Sequence, residues 1–107
     1  MTTAKYSVSI ASIAVGTTVA ASDAIAFGDF DRGMVYVPAG SSLTTLTWHA
    51  STEQNGTYLA AEDAASAAIT QTVGASQAHP IPEVLIGARF LKITGNAAGV
   101  VGVTLKD

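Results

Sequence analysis

A chain of 107 residues and 10.8 kDa is enough for one compact domain, residues 1–107, and not for two. Hydrophobic residues make up 49% and charged residues 12%, about half the usual charged share of about 25%, which excludes disorder driven by charge. The absence of cysteine excludes disulfides, thiolate metal sites and a cysteine nucleophile, and a net charge of −3 with five scattered Lys and Arg leaves no basic stripe for nucleic acid.

Met1-Thr2-Thr3-Ala4-Lys5 leads into alternating residues and not into the apolar core of an export signal. Every apolar run is soon broken by Ser, Thr, Gly or a charge, short of the roughly twenty residues that a membrane span needs, so no membrane partner is expected. Sparse charge leaves Thr, Ser and Ala to cover much of the surface and gives little protection against association. That combination predicts an assembling protein.

Tyr6, Val8 and Ile10 alternate with Ser7, Ser9 and Ala11, the period of two that a half-buried strand requires. After Gly16-Thr17-Thr18, Ile25 and Phe27 alternate with Ala24 and Ala26 as a second strand, followed by a turn-like run from Gly28 to Gly33. Met34 to Val37 makes a third strand, stopped by Pro38-Ala39-Gly40. Leu43, Thr45 and Thr47 alternating with Thr44, Leu46 and Trp48 make a fourth.

Asn55-Gly56 suits the positive φ angles of a tight type I′ hairpin turn, after which Thr57-Tyr58-Leu59 resumes the extended pattern. Residues 60–68 read as a loop despite their helix-favouring Ala, Glu and Asp, because the stretch is short and runs straight into a strand at Ile69 to Val73. Pro80 and Pro82 lack amide donors, so His79 to Glu83 is expected as an extended edge or crossover ahead of a strand at Val84-Leu85-Ile86. Phe90 to Thr94 and Val101 to Leu105 alternate as the last two strands.

About eight short strands with regular turn signals and no amphipathic helix predict an all-β antiparallel sandwich, jelly-roll or Greek-key-like, of two four-stranded sheets. Its core candidates are Val8, Ile10, Phe27, Val35, Val37, Leu46, Trp48, Ile69, Leu85, Leu91, Ile93, Val101, Val103 and Leu105.

The glycine-rich run from Gly95 to Gly102 has the wrong spacing for a phosphate loop and lies between strands, so it reads as a turn. His49 and His79 have no nucleophile motif near them, and His49 is expected to face solvent or an interface. Asp29 and Asp31 begin a calcium-like spacing, but Gly33 stands where a third oxygen ligand is needed and no closing glutamate follows. Glu62-Asp63 reads as an exposed loop pair, and no two acids are brought together by the sequence as a glycosidase requires. No catalytic residue, cofactor or metal ligand is therefore expected. Trp48, Tyr36 and Tyr58 are the aromatic candidates for stacking on a sugar, against the simpler expectation that Trp48 is core and that Tyr58 packs its ring with its hydroxyl in water.

Ser22-Asp23-Ala24-Ile25, Leu46-Thr47-Trp48-His49-Ala50-Ser51, Asn55-Gly56-Thr57-Tyr58, a Thr-rich strand, and Pro82-Glu83 followed by Gly87-Ala88-Arg89-Phe90-Leu91-Lys92-Ile93 occur in an order that resembles a group of small tailed-phage virion proteins, over roughly residues 17–106. In that group a hairpin ending in an aromatic is followed by a Gly-x-Arg-aromatic-Leu-Lys strand; Asn55 stands here where aspartate is commoner. The resemblance implies a non-catalytic structural protein without a cofactor, on the outside of a virion and made in the host cytoplasm. It implies a capsid decoration or cement protein, with the major capsid protein as partner and three-fold clustering into a homotrimer. Multivalent attachment to a lattice turns weak equal contacts into lasting occupancy. The contact candidates are an N-terminal arm, Thr2, Thr3, Ala4 and Lys5 after Met1, and the crossover His79, Pro80, Ile81, Pro82 and Glu83, since extended unpaired backbone adds to a neighbour's sheet. The alternatives are a carbohydrate-binding or receptor-binding fibre domain through Trp48, Tyr36 and Tyr58, and a tail or baseplate accessory protein.

Overall fold

The computed structural model describes residues 8–28, 30, 32–85 and 87–106. Among the described residues there are nine strands: β1 Val8–Val15, β2 Ile25–Ala26, β3 Arg32–Val37, β4 Thr45–Ser51, β5 Leu59–Ala60, β6 Thr70–Thr72, β7 Gln77–Pro80, β8 Phe90–Gly95 and β9 Gly99–Lys106. They form two antiparallel sheets. Sheet A has the order β1-β9-β3-β7, and sheet B the order β2-β8-β4-β5 with β6 also on β4.

β5 and β6 are two halves of one edge strand. β5 lies beside His49 and Ala50 of β4 and β6 beside residues 45–47, both antiparallel to it. Between them the chain leaves the sheet at Trp48, whose carbonyl accepts from Ala61 N–H at 3.0 Å and whose N–H donates to the Ile69 carbonyl at 3.1 Å. Ile69 N–H closes the base of the excursion on the Ala61 carbonyl at 2.9 Å, and residues 62–68 stand exposed beyond it. Counted so, the strands change sheet at every connection except the one from β4 to β5, the winding of a jelly roll, which agrees with the sequence expectation of class.

The core fills the space between the sheets, because alternate residues of each strand face inward. Phe27, Val35, Val37, Leu46, Trp48, Ile69, Leu85, Leu91, Ile93, Val101, Val103 and Leu105 are all buried as expected. The side chains of Val8 and Ile10 lie outside the described set. In β1 the buried positions among those described are Ile13 and Val15, in the opposite phase to residues 8 and 10. Leu43 is buried too, and Gly95 lets it approach: a Cβ there would meet Leu43 Cδ2 at 2.6 Å.

Three local expectations need correction. The β4–β5 connection is not a type I′ turn, since neither Asn55 nor Gly56 has a positive φ. Instead Gly56 N–H donates to the Glu53 carbonyl at 3.1 Å within a longer loop, 52–58. Residues 83–85 are a 3-10 turn and not a strand, with Leu85 N–H on the Pro82 carbonyl and Ala88 N–H on the Leu85 carbonyl, each at 3.0 Å; Ile86 lies outside the described residues. The first strand extends to Val15, and Gly16 crosses to sheet B as a bridge to Thr94.

Candidate assembly surfaces

β1 and β7 are the two edges of sheet A. At β7 the strand is four residues long and ends in Pro80. Ile81 N–H donates to the Gly33 carbonyl at 2.9 Å, which fixes the alternation: Gln77, His79 and Ile81 turn their amide groups to β3, and Ala78 and Pro80 turn theirs outward. Pro80 has no donor, and its carbonyl accepts from Gln71 Nε2 at 2.7 Å. Gln71 Oε1 in turn accepts from Trp48 Nε1 at 2.8 Å. One glutamine thus satisfies the buried indole and ties sheet B across to the rim of sheet A.

β1 is the contrary case. Ala14 donates to Asp23 Oδ2 at 2.9 Å, and its carbonyl accepts from Asp23 N–H at 3.0 Å. Ala14 therefore faces away from β9, and by alternation so do the amide groups of Val8, Ile10 and Ser12. Among the described residues nothing pairs with those three. The strand carries no charge and no proline, the usual devices that blunt an edge.

The outer face of sheet A holds an open cavity of about 430 Å³ lined by Tyr36, Met34, Thr104, Arg32, Lys106 and Glu83, among others. Arg32 and Lys106 are direct cross-strand partners, an arrangement that costs stability unless an anion shares the site. Tyr36 is 44% exposed there, with its hydroxyl 3.5 Å from that of Thr104.

The outer face of sheet B is a field of hydroxyls. Thr45 faces Thr72, and Thr47 lies between Thr70 and Thr94. His49 is next in the row, half-buried, with Nε2 3.0 Å from Thr94 Oγ1; burial pulls its pKa below the usual histidine value. Lys92, opposite His49, is held by the Val19 carbonyl at 3.2 Å and over the Tyr58 ring at 4.8 Å. Tyr58 donates its hydroxyl to the Gln54 carbonyl at 2.8 Å, and burial raises its pKa.

The sequence-derived candidates are distributed unevenly over these surfaces. Thr2, Thr3, Ala4 and Lys5 lie outside the described residues, as do Asp29 and Asp31. Of the crossover, Pro80 and Glu83 are exposed and His79 and Pro82 half-buried, whereas Ile81 is 5% exposed and belongs to the core. His79 sits in β7 and not in a loop, its Nε2 3.1 Å from Gln77 Oε1. Trp48 is fully buried and offers no ring face to a sugar. Tyr36 and Tyr58 belong to opposite sheets, so the three aromatics do not form one platform. The open edge of β1 and the Arg32–Lys106 pair were not among the candidates; both depend on strand pairing.

No helix among the described residues is long and apolar enough to cross a membrane. Compared with family models, with curated proteins and with solved structures, the chain matches none.

Proposed function

We propose that this protein is a non-catalytic virion structural component, a capsid decoration or cement protein that binds the major capsid protein and stabilises the shell. The observation that carries the reading is the uncharged edge of β1, unpaired among the described residues, which follows directly on the N-terminal segment in sequence. An open strand edge is a template for another chain's strand. Two further features support it: the jelly-roll winding, an architecture used in capsid proteins, and outer faces built from threonine, alanine and a few charges. Each decorated position then needs only modest affinity, because the lattice repeats it. Purified protein mixed with undecorated shells and imaged by electron microscopy should give regular added density, reduced when residues 1–5 are deleted. Bare shells at saturating protein would overturn the proposal.

A second reading, glycan binding, is favoured only by the cavity on sheet A, where an exposed tyrosine ring lies near two adjacent cations. It predicts a preference for carboxylated sugars that Tyr36→Ala removes. A glycan array without such a preference eliminates it.

A further inference from the structure

We infer that β1 is a homodimerisation strand, pairing antiparallel with β1 of a second copy across a two-fold axis centred on Ile10. The inference concerns the free protein: such a dimer covers the edge that the proposed shell contact uses, so it has to open before the shell is bound, and its test needs no shell.

It follows from which edges a copy of this chain has to offer. Sheet B ends on one side in β2, two residues long, beyond which Gly16 and the Val19 carbonyl already occupy β8 at Gly95 N–H and Lys92 Nζ. On the other side the edge is broken in two by the excursion at Trp48. In sheet A, β7 turns only Ala78 and Pro80 outward, and Pro80 is taken by Gln71. A three-fold ring through sheet edges would need β1 of one copy against β7 of the next, and there Ala78 alone keeps an outward N–H and carbonyl, too few to match the three outward residues of β1. Among the described residues the remaining long edge is β1 itself, and one self-complementary edge closes with two-fold symmetry.

The register is fixed as well. Asp23 takes both backbone groups of Ala14, so the outward-facing residues left for pairing are Val8, Ile10 and Ser12. Outward residues must face outward residues. The register that uses all three on both copies sets Ile10 against Ile10 of the partner subunit and Val8 against Ser12 of the partner subunit. It joins the two copies of sheet A into one continuous eight-stranded sheet.

Two measurements on the full chain test this. Analytical ultracentrifugation over micromolar to millimolar concentrations should show a reversible dimer of twice 10.8 kDa. Ser12→Pro removes one outward amide, with no bond to β9 and an exposed side chain, and should weaken that dimer at least tenfold while leaving the circular dichroism spectrum unchanged. Should that variant misfold, hydrogen exchange on the unaltered protein still decides. The amides of Val8, Ile10 and Ser12 should gain protection as concentration rises, together and in step with dimer mass. A monomer throughout, a dimer without added protection at these three amides, or protection independent of concentration, as the chain's own N-terminal segment would give, each overturns the inference.

Discussion

At one edge of sheet A, a four-residue strand ends in proline and is fastened from the other sheet by a glutamine. At the other edge, an eight-residue strand without charge or proline turns three amide groups away from the sheet, unpaired among the described residues. Both edges border the same core, so burial does not explain the difference. What separates them is where the outward backbone groups go. At β7 the Pro80 carbonyl is satisfied by Gln71 and proline has no donor, which leaves Ala78 alone; at β1 Ala14 is satisfied by Asp23, which leaves three residues among those described. Edges closed in this way resist new partners, and an edge left open invites them.

The contrast can be broken most severely at Trp48, which anchors the closed side. Trp48→Ala removes the largest fully buried side chain and the donor to Gln71. It should cost about 3–5 kcal/mol, read as a loss of thermal stability by calorimetry. A smaller and more selective break is Gln71→Leu, which strands the indole N–H and frees the Pro80 carbonyl. The expected loss is about 1–3 kcal/mol, with faster amide exchange at His79 and Ile81, which bond to β3, and none of that acceleration at β9. Asp23→Ala sharpens the other side. It should cost about 0.5–1.5 kcal/mol and, by releasing Ala14, lengthen the open edge and strengthen self-association in sedimentation.

The smallest effect is a pH dependence at His49. Burial lowers its folded pKa below the unfolded value near 6.5, so the unfolded chain binds the proton more readily. The contribution is complete above the unfolded pKa and is lost as pH falls below it. A modest drop in melting temperature between pH 7 and pH 5, diminished in His49→Gln, is the expected record.

Strand alternation makes much of this fold legible in the sequence. Residues such as Val35, Leu46, Leu91, Val101 and Val103 sit in runs where period two and burial coincide. Ile81 is equally buried but lies in an irregular segment next to a strand, where no period marks it, and Leu43, which alternation groups with Thr45 and Thr47, lies ahead of β4 and turns inward. In β1 the apolar residues change phase between Ile10 and Ile13, so alternation alone did not select the face. The short apolar run at Val84-Leu85 read as strand because three residues do not distinguish a strand from a turn, and Pro82 started the latter. Asn55-Gly56 has the residue types of a tight turn, yet the loop from 52 to 58 is too long to need one.

The surfaces were less legible than the core because they are made by pairing across long separations. The glutamine clasp links residues 23 and 9 positions apart, and the Arg32–Lys106 pair joins the third strand to the last. Nothing local in the sequence marks β1 as open or β7 as shut. Pro80 was the one exception, since a missing donor is visible in the residue type itself.

The excursion between β5 and β6 carries its own consequence. Its base is stapled by the Ala61–Ile69 bond and by both backbone groups of Trp48, and Asp63 Oδ1 gathers the amides of Ala65 and Ala67 at 2.8 and 3.0 Å. Length added between Ala64 and Ala67 is insulated from the sheet, and the entropy of a longer loop grows only slowly with its size. A foreign peptide grafted at that tip would be carried on a rigid stalk without touching the barrel-side packing, which makes this molecule a natural holder for displayed epitopes.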